Sequence, residues 1–452
     1  MTEIFQRIGA ASLLVLAYVA MCLAIWSRER RRHAAAARDA AALAGDGAQL
    51  PMLVVFATQT GQAEGIAWRT GRALHAHGTP VRVLSLNDLD AATLHAARRA
   101  LFVVSTYGEG DAPDGASLFT ERSMALAEPL PMLRYAMLAL GDRQYAQFCG
   151  FGRALDAWLQ SAGAVPMAPR IEVDNGDPAA LADWHAQWGG EPFEAAKGAI
   201  DFAPWRLVRR ERLNPGSEGG PVYELGFHAA HGVLPDWQSG DLVQVALAHD
   251  PTRPRDYSIA SIPPDGELQL IVRQECHADG TLGAASGLLT STLALGDSVT
   301  MRLRPHRSFQ LADNAGRPLI LIGNGTGLAG LRSHLRARAA AGQHENWLLF
   351  GERKASHDFL CRAELEAWQD SGVLRRLDLV FSRDQPERRY VQHRLMQLGD
   401  ELRSWLARGA AVYVCGSLQG MAAGVDAALR ELAGDAQFHA LTAERRYCRD
   451  VY

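Results

Sequence analysis

The stretch Leu53-Val54-Val55-Phe56-Ala57-Thr58-Gln59-Thr60-Gly61-Gln62-Ala63-Glu64 decides how the chain is read. Five apolar residues in a row predict a parallel strand buried on both faces. The loop behind them carries hydroxyls and a glycine, and it opens a helical stretch from Gly65 to His77. Strand, loop and helix N-terminus together form an anion site, because backbone N–H groups and the helix dipole both point into the loop. Two more strands repeat the plan. Ala100 to Val104 runs into Ser105, Thr106, Tyr107, Gly108, Glu109, Gly110 and Asp111. Ala136 to Leu140 runs into Gly141, Asp142, Arg143, Gln144 and Tyr145, with Phe148 just beyond. Open α/β sheets bind ligands at the carboxyl ends of their strands. Tyr107 and Tyr145 can sandwich a flat ring, and the glycines let backbone approach it. Glu109, Asp111 and Asp142 place negative charge beside such a ring, which disfavours adding a further negative charge to it.

The rest of the chain sets the frame. It has 452 residues, 48% hydrophobic and 21% charged, which is globular composition. That excludes a disordered, collagen-like or polytopic membrane chain and leaves room for about three domains at roughly 150 residues each. The net charge of −4 gives no reason to expect nucleic acid. Only Lys197 and Lys354 are lysines; the other basic residues are arginines. Cys22, Cys149, Cys276, Cys361, Cys415 and Cys448 form no Cys-x-x-Cys pair and no disulfide framework, so no metal site is expected and a reducing compartment is.

The loops at 58–63, 105–111 and 140–148 resemble the three FMN loops of the flavodoxin-like domain in diflavin reductases, the family of the sulfite reductase flavoprotein and the NADPH–cytochrome reductases. The resemblance implies FMN-phosphate contacts from Thr58, Gln59, Thr60, Gly61, Gln62 and Ala63. It implies isoalloxazine contacts from Ser105, Thr106, Tyr107, Gly108, Leu140, Gly141, Asp142, Tyr145 and Phe148.

Beyond a Gly-, Pro- and charge-rich boundary at 190–220, short alternating strands at 222–227, 241–245, 268–272 and 297–301 predict a small antiparallel barrel. Between them stands Arg255-Asp256-Tyr257-Ser258, and later Gly283-Ala284-Ala285-Ser286. An arginine beside an aromatic can clamp a diphosphate and cover a flavin face. The first motif resembles the FAD signature of the ferredoxin-reductase superfamily and the second its diphosphate loop. FAD contacts are thus implied at all eight residues.

Pro318 to Ile322 predicts another buried strand, leading into Gly323-Asn324-Gly325-Thr326-Gly327 and a helix, which together make a pyrophosphate loop. Ser382, Arg383, Arg388, Tyr390 and Gln392 put hydroxyls and guanidiniums in one short span, chemistry that suits a 2′-phosphate and hence NADPH. With Thr326 these are the implied NADPH contacts. Cys415 ends a strand at 412–416, and the chain finishes Asp450-Val451-Tyr452. The resemblance implies that Ser258, Cys415 and Asp450 assist hydride transfer and that Tyr452 stacks on the flavin as a gate.

Several positions depart from the family pattern. Asn324 replaces a proline, Ala329-Gly330-Leu331 an Ala-Pro-Phe, and Gln274 a tyrosine. Ser417 and Gly424 stand where acidic residues are common. The helical connecting insertion of full-length diflavin reductases, about 100 residues or one small domain, is absent between Val245 and Arg255.

Ile8 to Trp26 carries no charge and is followed by Arg28, Arg30, Arg31 and Arg32. At 1.5 Å per residue it would span roughly 28 Å as a helix, about one hydrocarbon core. The charge order favours a retained anchor over a cleaved signal peptide and puts the following domains in the cytoplasm. The expectation is therefore a multidomain chain: an N-terminal transmembrane helix and tether (1–50), a flavodoxin-like α/β domain (51–190), an antiparallel β-barrel FAD domain with its linker (191–311) and an α/β NADP-binding domain of ferredoxin-reductase type (312–452). It is a single-pass inner-membrane protein that passes electrons from NADPH through FAD and FMN to a haem protein, a ferric species or a sulfite reductase haemoprotein. The rival readings are a flavin-binding redox sensor or scaffold, and a single-flavin reductase with an empty first domain.

Overall fold

A computed structural model describes residues 43, 50–59, 61–107, 110–124, 129–143, 147–189, 202–230, 234–248 and 250–452. Three sheets, one per expected domain, follow each other along the chain.

The first contains β1 (Met52–Ala57), β2 (Val81–Ser85), β3 (Arg99–Ser105), β4 (Arg134–Gly141), β5 (Val165–Pro166) and β6 (Ile171–Asp174). All are parallel in the order β2-β1-β3-β4-β5, with β6 also pairing β4. The strand period of two divides β1 cleanly. Leu53, Val55 and Ala57 join one core with Phe102 and Phe151, while Met52, Val54 and Phe56 join another with Leu138 and Trp184. Helices cover both faces, as an all-parallel sheet requires. Leu43, within the expected tether, instead buries its side chain in the second of these cores.

The second sheet is antiparallel: β7 (Ala203–Arg212), β8 (Val222–Ala229), β9 (Leu242–Leu247), β10 (Asp250–Ser258), β11 (Leu268–Arg273) and β12 (Ser298–Arg304), in the order β10-β9-β12-β7-β8-β11. Its two edges meet where Ile259 bridges Leu270 and the Ala260 N–H donates to the Gln269 carbonyl at 2.8 Å. Closing a sheet on itself removes exposed edges. Trp205, Phe227, Val243, Val245 and Leu270 fill the inside. β9 and β10 form a hairpin with Leu247 opposite Asp250, which leaves no room between them for a connecting domain.

The third sheet is parallel: β13 (Leu319–Asn324), β14 (Asn346–Glu352), β15 (Arg376–Phe381), β16 (Ala411–Gly416) and β17 (Tyr447–Val451), in the order β15-β14-β13-β16-β17. β17 is an edge strand, and the flavodoxin-like domain docks beside it.

The membrane expectation is corrected. Among the described residues no helix is long and apolar enough to cross a membrane, and the inner-membrane location is withdrawn. The stretch 8–26 on which it was based lies outside the described residues.

Candidate functional site

Three loops leave the carboxyl ends of the neighbouring strands β1, β3 and β4. After β1 the Thr58 hydroxyl accepts the Gly61 N–H at 2.9 Å. Gly61 takes φ 89°, a left-handed conformation natural to glycine, and delivers the chain into the helix Gln62–Ala76, with Ala63 fully buried. Gln59 is buried and committed elsewhere: its amide spans to Asp114 (3.0 Å) and to the Arg449 carbonyl (3.3 Å). After β3, at Ser105, the Thr106 N–H donates to the Leu140 carbonyl at 2.8 Å, tying the second loop to the third. The Thr106 hydroxyl is buried without a partner among the described residues. Gly141 lies so close to Cys149 that a Cβ there would sit 2.8 Å from its nitrogen. Asp142 follows, and Phe148 is capped by the Arg143 guanidinium 4.6 Å from the ring centre. Thr60, Gly108, Glu109 and Tyr145 lie outside the described residues.

Tyr107 turns toward the third domain. Its hydroxyl accepts the Val451 N–H at 3.1 Å, and its ring packs on that domain's core. Burial, with Asp450 and Asp114 nearby, pushes the phenol well above its ordinary pKa.

In the barrel, Arg255, Asp256, Tyr257 and Ser258 occupy the last half of β10. Asp256 pairs with Arg304. Burial raises the Tyr257 phenol. Gly283, Ala284, Ala285 and Ser286 form a turn in which the Ser286 hydroxyl accepts the Glu275 N–H at 3.1 Å. Gln274 donates to Thr290 at 2.9 Å.

Ser258 is brought to the end of the third sheet. Its hydroxyl donates to Asp450 Oδ2 at 2.6 Å, and the Cys415 thiol lies 3.6 Å from the same oxygen. The register explains the meeting, since Cys415 on β16 is paired with Asp450 on β17. Burial and the neighbouring carboxylate hold the Cys415 thiol well above its usual pKa, so it stays protonated. The three residues expected at one reaction centre are therefore in contact. Tyr452 is 57% exposed, and its hydroxyl donates to Thr326 at 3.1 Å across the glycine turn.

That turn is pressed against β16. A Cβ on Gly327 would lie 2.1 Å from the Cys415 carbonyl oxygen, so only glycine fits. Asn324 does what a proline there could not. Its Oδ1 accepts the Ser417 N–H at 3.0 Å, binding the turn to the loop after β16. Ser382 and Arg383 follow β15, while Arg388 and Tyr390 lead into the helix Val391–Gln397. The Gln392 Oε1 is buried without a partner among the described residues. A Cβ at Gly424 would come within 2.9 Å of that amide, so a side chain there would require Gln392 to shift.

The residues present fit nucleotide cofactors. An orphaned hydroxyl (Thr106) lies on the loop after β3 and an orphaned amide oxygen (Gln392) on the helix Val391–Gln397, and the glycine turn admits backbone but no side chain at Gly327. Sequence reasoning missed Gln59 as a bridge, Asp114, Arg449, Asp426 and His306. Gln59 was read only as a phosphate-loop residue, and the other four lie in no local motif; the fold links Gln59, Asp114, Arg449 and Asp426 and sets His306 beside Asp450.

Residues 54–188 match the flavodoxin family model and residues 321–427 the oxidoreductase NAD-binding domain model. The chain is similar to a protein of Vibrio cholerae serotype O1 called sulfite reductase [NADPH] flavoprotein alpha-component, 29% identical over 93% of this chain and 90% of the relative. A Bacillus subtilis protein of the same name is 27% identical over 88% and 89%. The first alignment extends over 558 positions against a 452-residue chain, so the relative carries more than a hundred positions with no counterpart here. The two domain matches in this order and relatives aligned almost end to end support the diflavin reductase family, NADPH-dependent flavoprotein oxidoreductases that use FMN, FAD and NADPH.

Proposed function

We propose that the chain draws electrons from NADPH and passes them through FAD and FMN to a haem or ferric acceptor. When bound, these cofactors supply hydride acceptance and single-electron release. The protein's residues do the rest. Thr58, Gly61 and Thr106 hold the first flavin at the strand ends. Arg255, Tyr257 and Gly283–Ser286 hold the second along β10 and its diphosphate turn. Thr326, Ser382, Arg383, Arg388, Tyr390 and Gln392 hold the nicotinamide dinucleotide. Ser258 directs its O–H to Asp450 and holds its oxygen beside the reaction centre. The Asp450 carboxylate places negative charge where positive charge grows as a hydride leaves. The contact of Ser258, Cys415 and Asp450 is the observation that carries this reading.

A second reading makes the acceptor a sulfite reductase haemoprotein, and the names of the relatives favour it. The test is anaerobic mixing of the full chain with NADPH, then with a ferric haem protein or the haemoprotein subunit. Flavin bleaching followed by haem reduction supports the proposal. Bleaching without reduction of either haem overturns the acceptor. No bleaching at all overturns the enzyme reading and favours the flavin sensor.

A further inference from the structure

Behind Asp450 stands a histidine that hydride transfer, as proposed, does not use. His306 is 1% exposed, and neither ring nitrogen has a hydrogen-bond partner among the described residues. Its Nδ1 faces Asp450 Oδ1 at 3.9 Å. That is beyond hydrogen-bond length, but a small rotation of the carboxylate closes it. The two oxygens of Asp450 are thus divided: Oδ2 takes the Ser258 hydroxyl and Oδ1 is turned to the imidazole.

The backbone fixes the ring there. The His306 N–H donates to Asp241 Oδ1 at 2.9 Å, and its carbonyl accepts from Phe309 (2.9 Å) and Gln310 (3.1 Å). Phe309 stacks on the ring, with centroids 5.8 Å apart and planes 27° from parallel. An apolar residue would fill this space without the desolvation cost of an unpaired imidazole. A buried polar group without a partner is rare enough in folded proteins to need a reason. We propose that His306 is a positioning residue for Asp450: its Nδ1–H is offered to Oδ1 and so keeps Oδ2 on the Ser258 hydroxyl. No proton leaves the imidazole in this role. The inference rests on the reading of Asp450 as part of the hydride site.

The charges around the ring agree. Asp450 on β17, Asp241 before β9 and Asp256 on β10 favour a proton on it. Arg304 on β12 opposes one, and burial opposes one more strongly than any of them. His334 also packs on Phe309, with ring centroids 5.0 Å apart. The ring is held neutral with a single N–H to place, and Asp450 Oδ1 is the acceptor it faces.

The test uses the flavin-loaded full chain with ¹⁵N-labelled histidine. The resonance that disappears in His306→Asn identifies His306. The expected result is a neutral Nδ1–H tautomer in the parent chain that shifts when Asp450→Asn is introduced. An unchanged resonance in Asp450→Asn overturns the pairing. In a second arm, His306→Leu should slow anaerobic flavin reduction by NADPH on the order of tenfold, the size of a lost hydrogen bond to a charged group. His306→Asn, whose amide can place an N–H near the Nδ1 position, should recover to within about threefold of the parent, less than the loss of one ordinary hydrogen bond. Equal losses in both variants would make His306 merely structural. If Asp450→Asn itself leaves flavin reduction untouched, the hydride-site reading fails, while the resonance shift still decides the pairing.

Discussion

Arg449 on β17 grips Asp114 in the flavodoxin-like domain, its Nε donating to Oδ1 at 2.9 Å across 335 residues of sequence. A second arm of the same guanidinium holds Asp426 within its own domain at 2.9 Å. Arg449 and Val451 flank Asp450, and each is held by the flavodoxin-like domain, through Asp114 and the Tyr107 hydroxyl respectively. Glu121 adds contacts to Arg430 and to His439 (2.6 Å). In a chain without a connecting insertion these contacts orient the first domain.

Asp114→Asn should therefore loosen the junction. Partly buried pairs lose strength with salt less than exposed ones, so the parent should stay closed at moderate ionic strength while the variant opens. Small-angle scattering should report a larger radius of gyration for Asp114→Asn. Tyr107→Phe leaves the Val451 amide without its acceptor. At about 1 kcal/mol for one hydrogen bond, that amide should exchange roughly fivefold faster with deuterium.

Changes at the reaction centre should separate binding from chemistry. Ser258→Ala and Asp450→Asn should each slow flavin reduction by NADPH on the order of 10²-fold, the usual range for a positioned polar group. Flavin content should be unchanged. Cys415→Ala, which removes only a weak 3.6 Å contact, should cost about tenfold or less. Stopped-flow bleaching under anaerobic conditions measures all three.

Tyr452 caps the glycine turn through Thr326. A ring that has to be displaced before a ligand enters lowers apparent affinity by the fraction of time the site is open. Tyr452→Ala should bind NADP⁺ several-fold tighter by calorimetry. Unchanged affinity would remove the gating role.

The buried histidines predict an acid-side loss of stability. Burial lowers the His334 pKa from 6.5 to about 3. Below pH 6.5 the unfolded chain takes up a proton there that the folded chain refuses. Stability is therefore full above pH 6.5 and falls as pH drops toward 3. The slope approaches about 1.4 kcal/mol per pH unit for each such group. His306, also lowered by burial, adds in the same direction. Denaturant unfolding between pH 7 and 4 should show a shallower slope in His334→Gln, whatever that variant's stability at neutral pH.

Much of the fold was legible because parallel strands buried on both faces announce themselves as apolar runs; β1, β3, β4, β13 and β16 all lie where those runs predict. The reaction centre was legible only through resemblance: nothing near Ser258 in sequence points to Asp450, 192 residues away. The junction could not be read at all. Gln59 sits in a phosphate-loop motif, yet its side chain is spent on Asp114 and Arg449. Tyr107 sits in a flavin-loop motif, yet its hydroxyl serves Val451. Both follow from how two domains meet, which no local pattern encodes. The withdrawn inner-membrane location was read from hydropathy and charge order at 8–26, a stretch outside the described residues.

The central claim is that one chain holds two flavins. Releasing and counting the flavin bound to the purified full chain tests it directly. The account predicts one FMN and one FAD per polypeptide. FAD alone would contradict the assignment of the three loops at Thr58, Thr106 and Gly141, and a folded chain with no flavin would contradict the account as a whole.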